Sequence, residues 1–232
     1  MTKLGTFYGI GVGPGDPELL TVKAINAIKS VDVIIAPKTE KKEGSVALSI
    51  ARSYLKADVE IVYQVFPMVK DFAESPEVFD ENKSEIMSIL RSGKNAAFLT
   101  IGDPMFYSTY IYIFRLLKNE GVDVMTIPGV PAFLAIAAQL GYPLAFGNEI
   151  VSIIPATAPR GALEAALEAC DSAVLMKVYR NFDEIVDVLE RHGKIDDAIL
   201  ASRCGLSDEK IVADLKAHRG EQLNYLSTII TK

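Results

Sequence analysis

The stretch "GVGPGDPELLT", residues 11 to 21, crowds three glycines, two prolines and an aspartate between the apolar run "TFYGI" and a helical pattern. A strand, a tight turn and a helix thus follow one another, and open α/β sheets place their ligands at such turns. The same order returns at "FLTIGDPMFYST", residues 98 to 109, where Asp103 and Pro104 stand as Asp16 and Pro17 do. Aspartate accepts an orphan amide at a helix start, and proline in the first helical position has no donor to lose, so helices are expected from Pro17 and from Pro104. Either turn alone is explained as a glycine-rich link from strand to helix. Two of them constrain the fold: parallel neighbouring strands would bring both turns to one edge of a sheet, lining one cleft.

Neither turn is a dinucleotide fingerprint. G-x-G-x-x-G begun at Gly9 meets Pro14, and begun at Gly11 it meets Asp16. No G-x-x-x-x-G-K-[ST] occurs, nor a G-x-S-x-G elbow, an H-E-x-x-H or an evident Cys/His/Asn set. Cys170 and Cys204 lie far apart with no C-x-x-C partner, and His192 and His218 sit in polar surroundings, so no metal site is expected in the protein. So short a list of acid–base groups suits chemistry whose reactive power comes with a cofactor. The 232 residues, 50% hydrophobic, suffice for one or two domains with a real core. A net charge of -6 argues against nonspecific nucleic-acid binding. No apolar run of membrane length and no secretory leader pattern are seen, so the expected location is the cytoplasm and no membrane partner is expected.

Apolar periodicity predicts strands over Phe7–Val12, Val31–Ala36, Glu60–Val65, Ala96–Ile101 and Val122–Ile127. Helical patterns lie between them, over Pro17–Lys29, Ser45–Tyr54, Glu77–Arg91 and Tyr107–Asn119. Such alternation means a mainly parallel five-stranded sheet with helices on both faces. After "MTIPGVPAF" and the helix "FLAIAAQLG" the rhythm changes: "VSIIPA", "AVLMKV", "AILASRC", "KIVAD" and "YLSTIIT" include adjacent strands with no helix between them. That is a mixed sheet, covered by "GALEAALEAC" and "FDEIVDVLERHG". The expectation is two α/β domains, 1–127 and 128–232, with the active site in the cleft between them.

"GVGPGDPELLTVKA", "VDVIIAPK", "GDPMFYST", "PGVPAF" and "VLMKVYRN" fall in an order and at spacings that resemble the tetrapyrrole methylase family along essentially the whole chain. The resemblance implies S-adenosylmethionine (SAM) as methyl donor, S-adenosylhomocysteine as product, a uroporphyrinogen-derived macrocycle as substrate, and a homodimer. It carries the SAM contacts to Pro14, Ile101, Gly102, Asp103, Phe106, Pro131, Ala132, Met176 and Gly205. At Pro131 relatives often carry a small hydroxyl residue, so a side-chain hydrogen bond is expected to be missing here. Read singly, Asp103 is a helix cap, Met176 core and Gly205 a turn.

Within the family, "APK", the lysine-rich loop with "SVALSIA", and "LMKVYRNF" are most similar to the branch that methylates C20 of precorrin-2 or its cobalt complex. The macrocycle's carboxylates call for cations, and Lys38, Lys41, Lys42, Lys177, Arg180 and Arg203 are the candidates. Gly11, Gly13 and Gly15 are expected to keep side chains off the cleft floor so that the macrocycle can approach backbone. Asp103 and Tyr107 are candidate bases for the C20 proton, with water or the substrate as rivals. Other branches stay open: a uroporphyrinogen methylase, although Ile101 stands where those enzymes usually have a second glycine; a diphthine synthase; a ribosomal RNA ribose methylase, which the acidic balance disfavours. A noncatalytic tetrapyrrole carrier or SAM sensor on the same fold is the reading from a different class, and turnover separates it from an enzyme.

Overall fold

The computed structural model describes residues 3–39, 44–67 and 76–232, and within them the chain divides into two compact units, Met1–Pro131 and Ala132–Lys232. The division falls after Pro131 rather than after Ile127, because the turn "PGVP" is fastened to another turn of the first unit through the Gly129 amide.

In the first unit β1 (Phe7–Gly11), β2 (Val33–Lys38), β3 (Glu60–Val65), β4 (Ala96–Thr100) and β5 (Val124–Ile127) form a sheet of order β3-β2-β4-β1-β5. Every pairing is parallel. The central strands β1, β2 and β4 read as near-continuous apolar runs because both faces are covered. Helices α3 (Pro76–Arg91) and α4 (Tyr110–Asn119) bury Phe79, Ile86, Leu90, Ile113 and Leu117 in one core with Phe7, Val33, Ile35 and Phe98. Helices α1 (Val22–Ser30) and α2 (Val46–Ala51) belong to the connections β1 to β2 and β2 to β3. The chain leaves β1 past β4 toward β2 and leaves β4 past β1 toward β5, so the connections from these two neighbours depart in opposite directions.

Both Asp-Pro turns differ from expectation in one respect. Pro17 opens a 3-10 turn, Pro17–Leu19, with the Asp16 carboxylate accepting from the Glu18 amide at 2.8 Å. Helix α1 starts only at Val22, capped by the Thr21 hydroxyl on the Ala24 amide at 3.1 Å. Likewise α4 starts at Tyr110, not at Pro104 or Tyr107, and the Ser108 hydroxyl accepts from the Tyr110 amide at 3.0 Å. No long helix therefore begins at either proline.

The second unit opens with α5 (Ala132–Leu140) and carries β6 (Val151–Pro155), β7 (Ser172–Met176), β8 (Ile199–Ser202), β9 (Lys210–Val212) and β10 (Ser227–Thr231). Their order is β6-β7-β10-β8-β9. β6 and β7 are parallel and the other pairs antiparallel, so the sheet is mixed as the spacing predicts. Helices α6 (Arg160–Glu168) and α7 (Phe182–Arg191) set Leu163, Leu167, Ile185, Val186 and Leu189 into the core with Leu175, Leu200 and Ile229. Because β7 and β8 both run against β10, the loops after them leave the same edge of this sheet.

Candidate functional site

In the first unit, the turns after β1, β4 and β5 interlock through backbone. Gly13 and Gly102 form an antiparallel bridge, with the Gly102 amide donating to the Gly13 carbonyl at 2.8 Å and the Gly13 amide returning a bond at 3.4 Å. A Cβ on Gly11 would lie 2.5 Å from the Gly129 nitrogen and 2.6 Å from the Gly102 oxygen. One on Gly129 would lie 2.1 Å from that same oxygen. Gly11, Gly102 and Gly129 thus touch as bare backbone. The glycine at 11 is required by this internal contact, so the structure gives it a reason other than the open cleft floor expected of it. Gly13, at φ 77°, takes a left-handed conformation that a side chain would strain. Gly15 and Pro14 are buried beside them.

Asp103 locks the arrangement. One carboxylate oxygen accepts from the Met105 amide at 2.8 Å, capping its own turn, and the other accepts from the Gly129 amide at 3.0 Å. Both oxygens are thus engaged by backbone, which gives Asp103 a positioning role whether or not it also accepts a proton. Tyr107, the other candidate, has φ 47° and its ring centroid 4.6 Å from that of Phe106. Burial raises the pKa of its phenol, so the hydroxyl keeps its proton at neutral pH. Ile101, Phe106, Pro131 and Ala132 are half-buried and surround this junction in sequence. Lys38 ends β2 with its ammonium 5.6 Å from the centre of the Tyr63 ring, on the far side of β4 from β1. Lys41 and Lys42 lie outside the described residues.

At the second unit's edge the construction is by side chains. Lys177 follows β7 at φ 62° and Arg203 follows β8 at φ 57°. With Tyr107 they are the non-glycine residues at positive φ among those described, and all three are candidates on sequence grounds. Left-handed backbone at residues with a Cβ is strained, and such strain gathers at functional sites. Burial, and then the charge of Arg180, lower the Lys177 pKa. Arg180 donates to the Tyr179 hydroxyl at 2.7 Å and has no carboxylate partner among the described residues. Arg203 differs: it is ion-paired with Asp208, which weakens its case as a substrate cation. Met176 ends β7 half-buried, and its carbonyl accepts from the Ala156 amide at 2.7 Å.

Gly205 takes φ 73°, and its amide donates to Glu209, whose other oxygen accepts from Gln139 of α5. Sequence reasoning does not single out Glu209, Asp208, Tyr179 and Tyr225: Asp208 and Glu209 bond to Arg203 and Gly205 within their own loop, Tyr179 lies inside "VLMKVYRN" beside Arg180, and Tyr225 reaches it from before β10. Gly129 is within its reach, standing between two prolines in the "PGVPAF" motif. An apolar groove of α5 and the edge strand β6, bounded by Phe133, Leu134, Tyr142, Val151 and Ile153, contains none of the expected site residues. Among the described residues no cluster of His, Cys, Asp or Glu could hold a metal ion, and no helix is long and apolar enough to cross a membrane.

The two edges differ in charge. The three turns of the first unit, residues 11–21, 101–107 and 128–131, carry Asp16, Glu18 and Asp103 and no lysine or arginine. The loop after β7 carries Lys177 and Arg180 and no carboxylate, whereas the loop after β8 carries Arg203 together with Asp208 and Glu209.

The sequence model of the tetrapyrrole (corrin/porphyrin) methylases matches residues 6–217. The chain belongs to that family. It is 36% identical over 228 residues to a cobalt-precorrin-2 C(20)-methyltransferase of Salmonella typhimurium, covering 97% of this chain and 95% of that protein. It is 37% identical over 229 residues to a probable cobalt-precorrin-2 C(20)-methyltransferase of Methanocaldococcus jannaschii, with the same coverage. A precorrin-2 C(20)-methyltransferase of a Sinorhizobium species is 28% identical over 235 residues, 98% of this chain and 95% of that one. Among solved structures, a cobalt precorrin-4 methyltransferase superposes with a TM-score of 0.75 at 24% identity, covering 97% of this chain and 94% of its own. A uroporphyrin-III C-methyltransferase of Thermus thermophilus, complexed with S-adenosylhomocysteine, gives 0.71 at 22% identity over 98% of this chain and 97% of its own. At these identities the structural likeness is one of fold, and it extends through both α/β units of this methylase.

Proposed function

We propose that this methylase transfers a methyl group from SAM to C20 of a precorrin-2 macrocycle in cobalamin synthesis, and that the ring already contains cobalt. The observation that carries the reading is 36–37% identity along 97% of the chain to two proteins named for the cobalt-containing substrate, against 28% to one named for the metal-free ring.

The charge of the edges fits the two ligands. A sulfonium cation suits turns that hold carboxylates and no cations, and a polycarboxylate ring suits the loop after β7, which holds Lys177 and Arg180 and no carboxylate. SAM, when bound, supplies an electrophilic methyl group for an electron-rich ring carbon. Pro14, Ile101, Gly102, Phe106, Pro131 and Ala132 of the first unit, with Met176 and Gly205 of the second, are the residues proposed to hold it. The interlocked glycines keep those turns in one arrangement, and Asp103 fastens them, so the chain's contribution is positioning. Lys177 and Arg180 orient the macrocycle through its carboxylates. Asp103 is bonded to two amides and Tyr107 keeps its proton, which favours water or the macrocycle itself as acceptor of the C20 proton. We also propose a cytoplasmic homodimer, the dimer resting on the family resemblance and the location on composition.

The test is to incubate the purified protein with methyl-labelled SAM and either cobalt-factor II or precorrin-2, and to locate the label by carbon NMR. Label at C20 with the cobalt ring alone is the expected result. Transfer to the metal-free ring alone overturns the cobalt assignment, and transfer to neither overturns the substrate.

A further inference from the structure

The loop after β7 is built more rigidly than a binding loop of flexible cations would be. Val178 is fully buried and anchors the 3-10 turn Val178–Arg180. The Asn181 side-chain amide donates to the Ala156 carbonyl and ties this turn to the one after β6. On that base the Arg180 guanidinium donates its Nε hydrogen to the Tyr179 hydroxyl at 2.7 Å and lies 5.4 Å from the centre of the same ring. Tyr179 is held in turn by Tyr225, which precedes β10: the ring centroids are 5.2 Å apart with planes at 66°. An edge-to-face pair of this kind fixes ring orientation as well as burying area.

Guanidinium recognition of a carboxylate is strongest when two N–H groups are presented side by side. With Nε committed to Tyr179, the two terminal nitrogens of Arg180 are the donors left for an end-on pair. Lys177 caps the start of the same 3-10 turn that Arg180 ends, so the two cations share one short loop and an anion reaching it meets both charges.

Building on the proposed function, we infer that Arg180 and Lys177 form a subsite for one peripheral carboxylate of the macrocycle, and that Tyr179 and Tyr225 are its positioning residues, holding the guanidinium in its end-on presentation. Tyr179 acts through its hydroxyl and Tyr225 through its ring. Neither tyrosine touches the substrate.

The full chain is titrated with uroporphyrin III, a stable ring with carboxylates on its rim, by fluorescence quenching. In parallel, KM and kcat are measured with cobalt-factor II and SAM affinity by calorimetry. R180Q is expected to weaken porphyrin binding and raise KM by about tenfold or more, the range for a charge-assisted hydrogen bond. Y179F, which keeps the ring and removes the acceptor, is expected to give about a threefold to tenfold loss, with kcat little moved. Y225A should do the same and Y225F should restore binding relative to Y225A. SAM affinity staying within twofold in every variant excludes a folding defect. If Y179F matches the wild type while R180Q is weak, the positioning role is overturned. If R180Q also matches the wild type, the subsite is overturned while methylation stands. If every variant loses SAM affinity in step with porphyrin, the cluster is merely structural and the inference fails. Should the wild type neither bind uroporphyrin nor methylate the ring, the functional reading falls and this subsite with it.

Discussion

The turns after β1, β4 and β5 and the loops after β7 and β8 both leave strand ends, yet they are made of different material. In the first unit the contacts are Gly11, Gly102 and Gly129 backbone, with one side chain, Asp103, as fastener. In the second they are Lys177, Tyr179, Arg180, Arg203 and Tyr225, with backbone strained at 177 and 203 to present them. Backbone interlock tolerates no added atom and gives one fixed arrangement. Side-chain display can be retuned one residue at a time, so the first edge suits a ligand common to a whole family and the second a ligand that changes between branches.

The hardest test of that contrast is Gly129→Ala. Its methyl group would sit 2.1 Å from the Gly102 carbonyl oxygen, which cannot rotate away, so a loss of about 3 kcal/mol or more by urea unfolding is expected, with SAM binding lost. Wild-type stability in G129A would break the interlock. Asp103→Ala should come next, at about 1–3 kcal/mol for two amides left without their acceptor. Here the readout matters more than the size: a fastener loses stability and SAM affinity together, whereas a catalytic base would lose kcat with both preserved.

A smaller effect concerns the loop after β8. Burial, and then the nearby Glu209 charge, push the Cys204 thiol up to about 11. An acid whose folded pKa is raised contributes stability that is complete below its unfolded pKa of about 8.5 and is lost as pH rises through about 11. At pH 8 native Cys204 should therefore alkylate roughly a hundredfold more slowly than in urea. Equal rates would mean that the loop is open and the second edge poorly ordered. The smallest effect has the opposite sign. Gly161 lies in α6 at an ordinary negative φ, and a methyl group placed there would meet no atom within 4 Å, so Gly161→Ala should stabilise by about 0.5–1 kcal/mol. A loss there would show that glycine intolerance is not confined to the interlocked edge.

Much of the fold is legible because burial writes a period into the sequence. β1, β2 and β4 are apolar throughout since both faces are covered, and α7 carries Phe182, Ile185, Val186 and Leu189 at helical spacing. The helix starts are misplaced where a local signal has two outlets: Asp16 does cap and Pro17 does start a turn, but that turn is 3-10 and the helix waits for Thr21. Of the candidate site, the glycines, Asp103 and Lys177 are visible through their residue types. Arg203 looks like any other cation, and only its pairing with Asp208 separates it from Arg180.

By itself, the sequence determined two α/β units, the repeated Asp-Pro turn and the family, since each depends on residue type and order along the chain. The tertiary structure alone decided what those residues do: that Asp103 spends both oxygens on amides, one of them 26 positions away, that Gly11 is a glycine because of Gly129, and that Tyr225 steadies the ring beneath Arg180. Hydrogen bonds and excluded volume act between atoms near in space, and folding brings together partners whose separation in sequence carries no trace of the meeting.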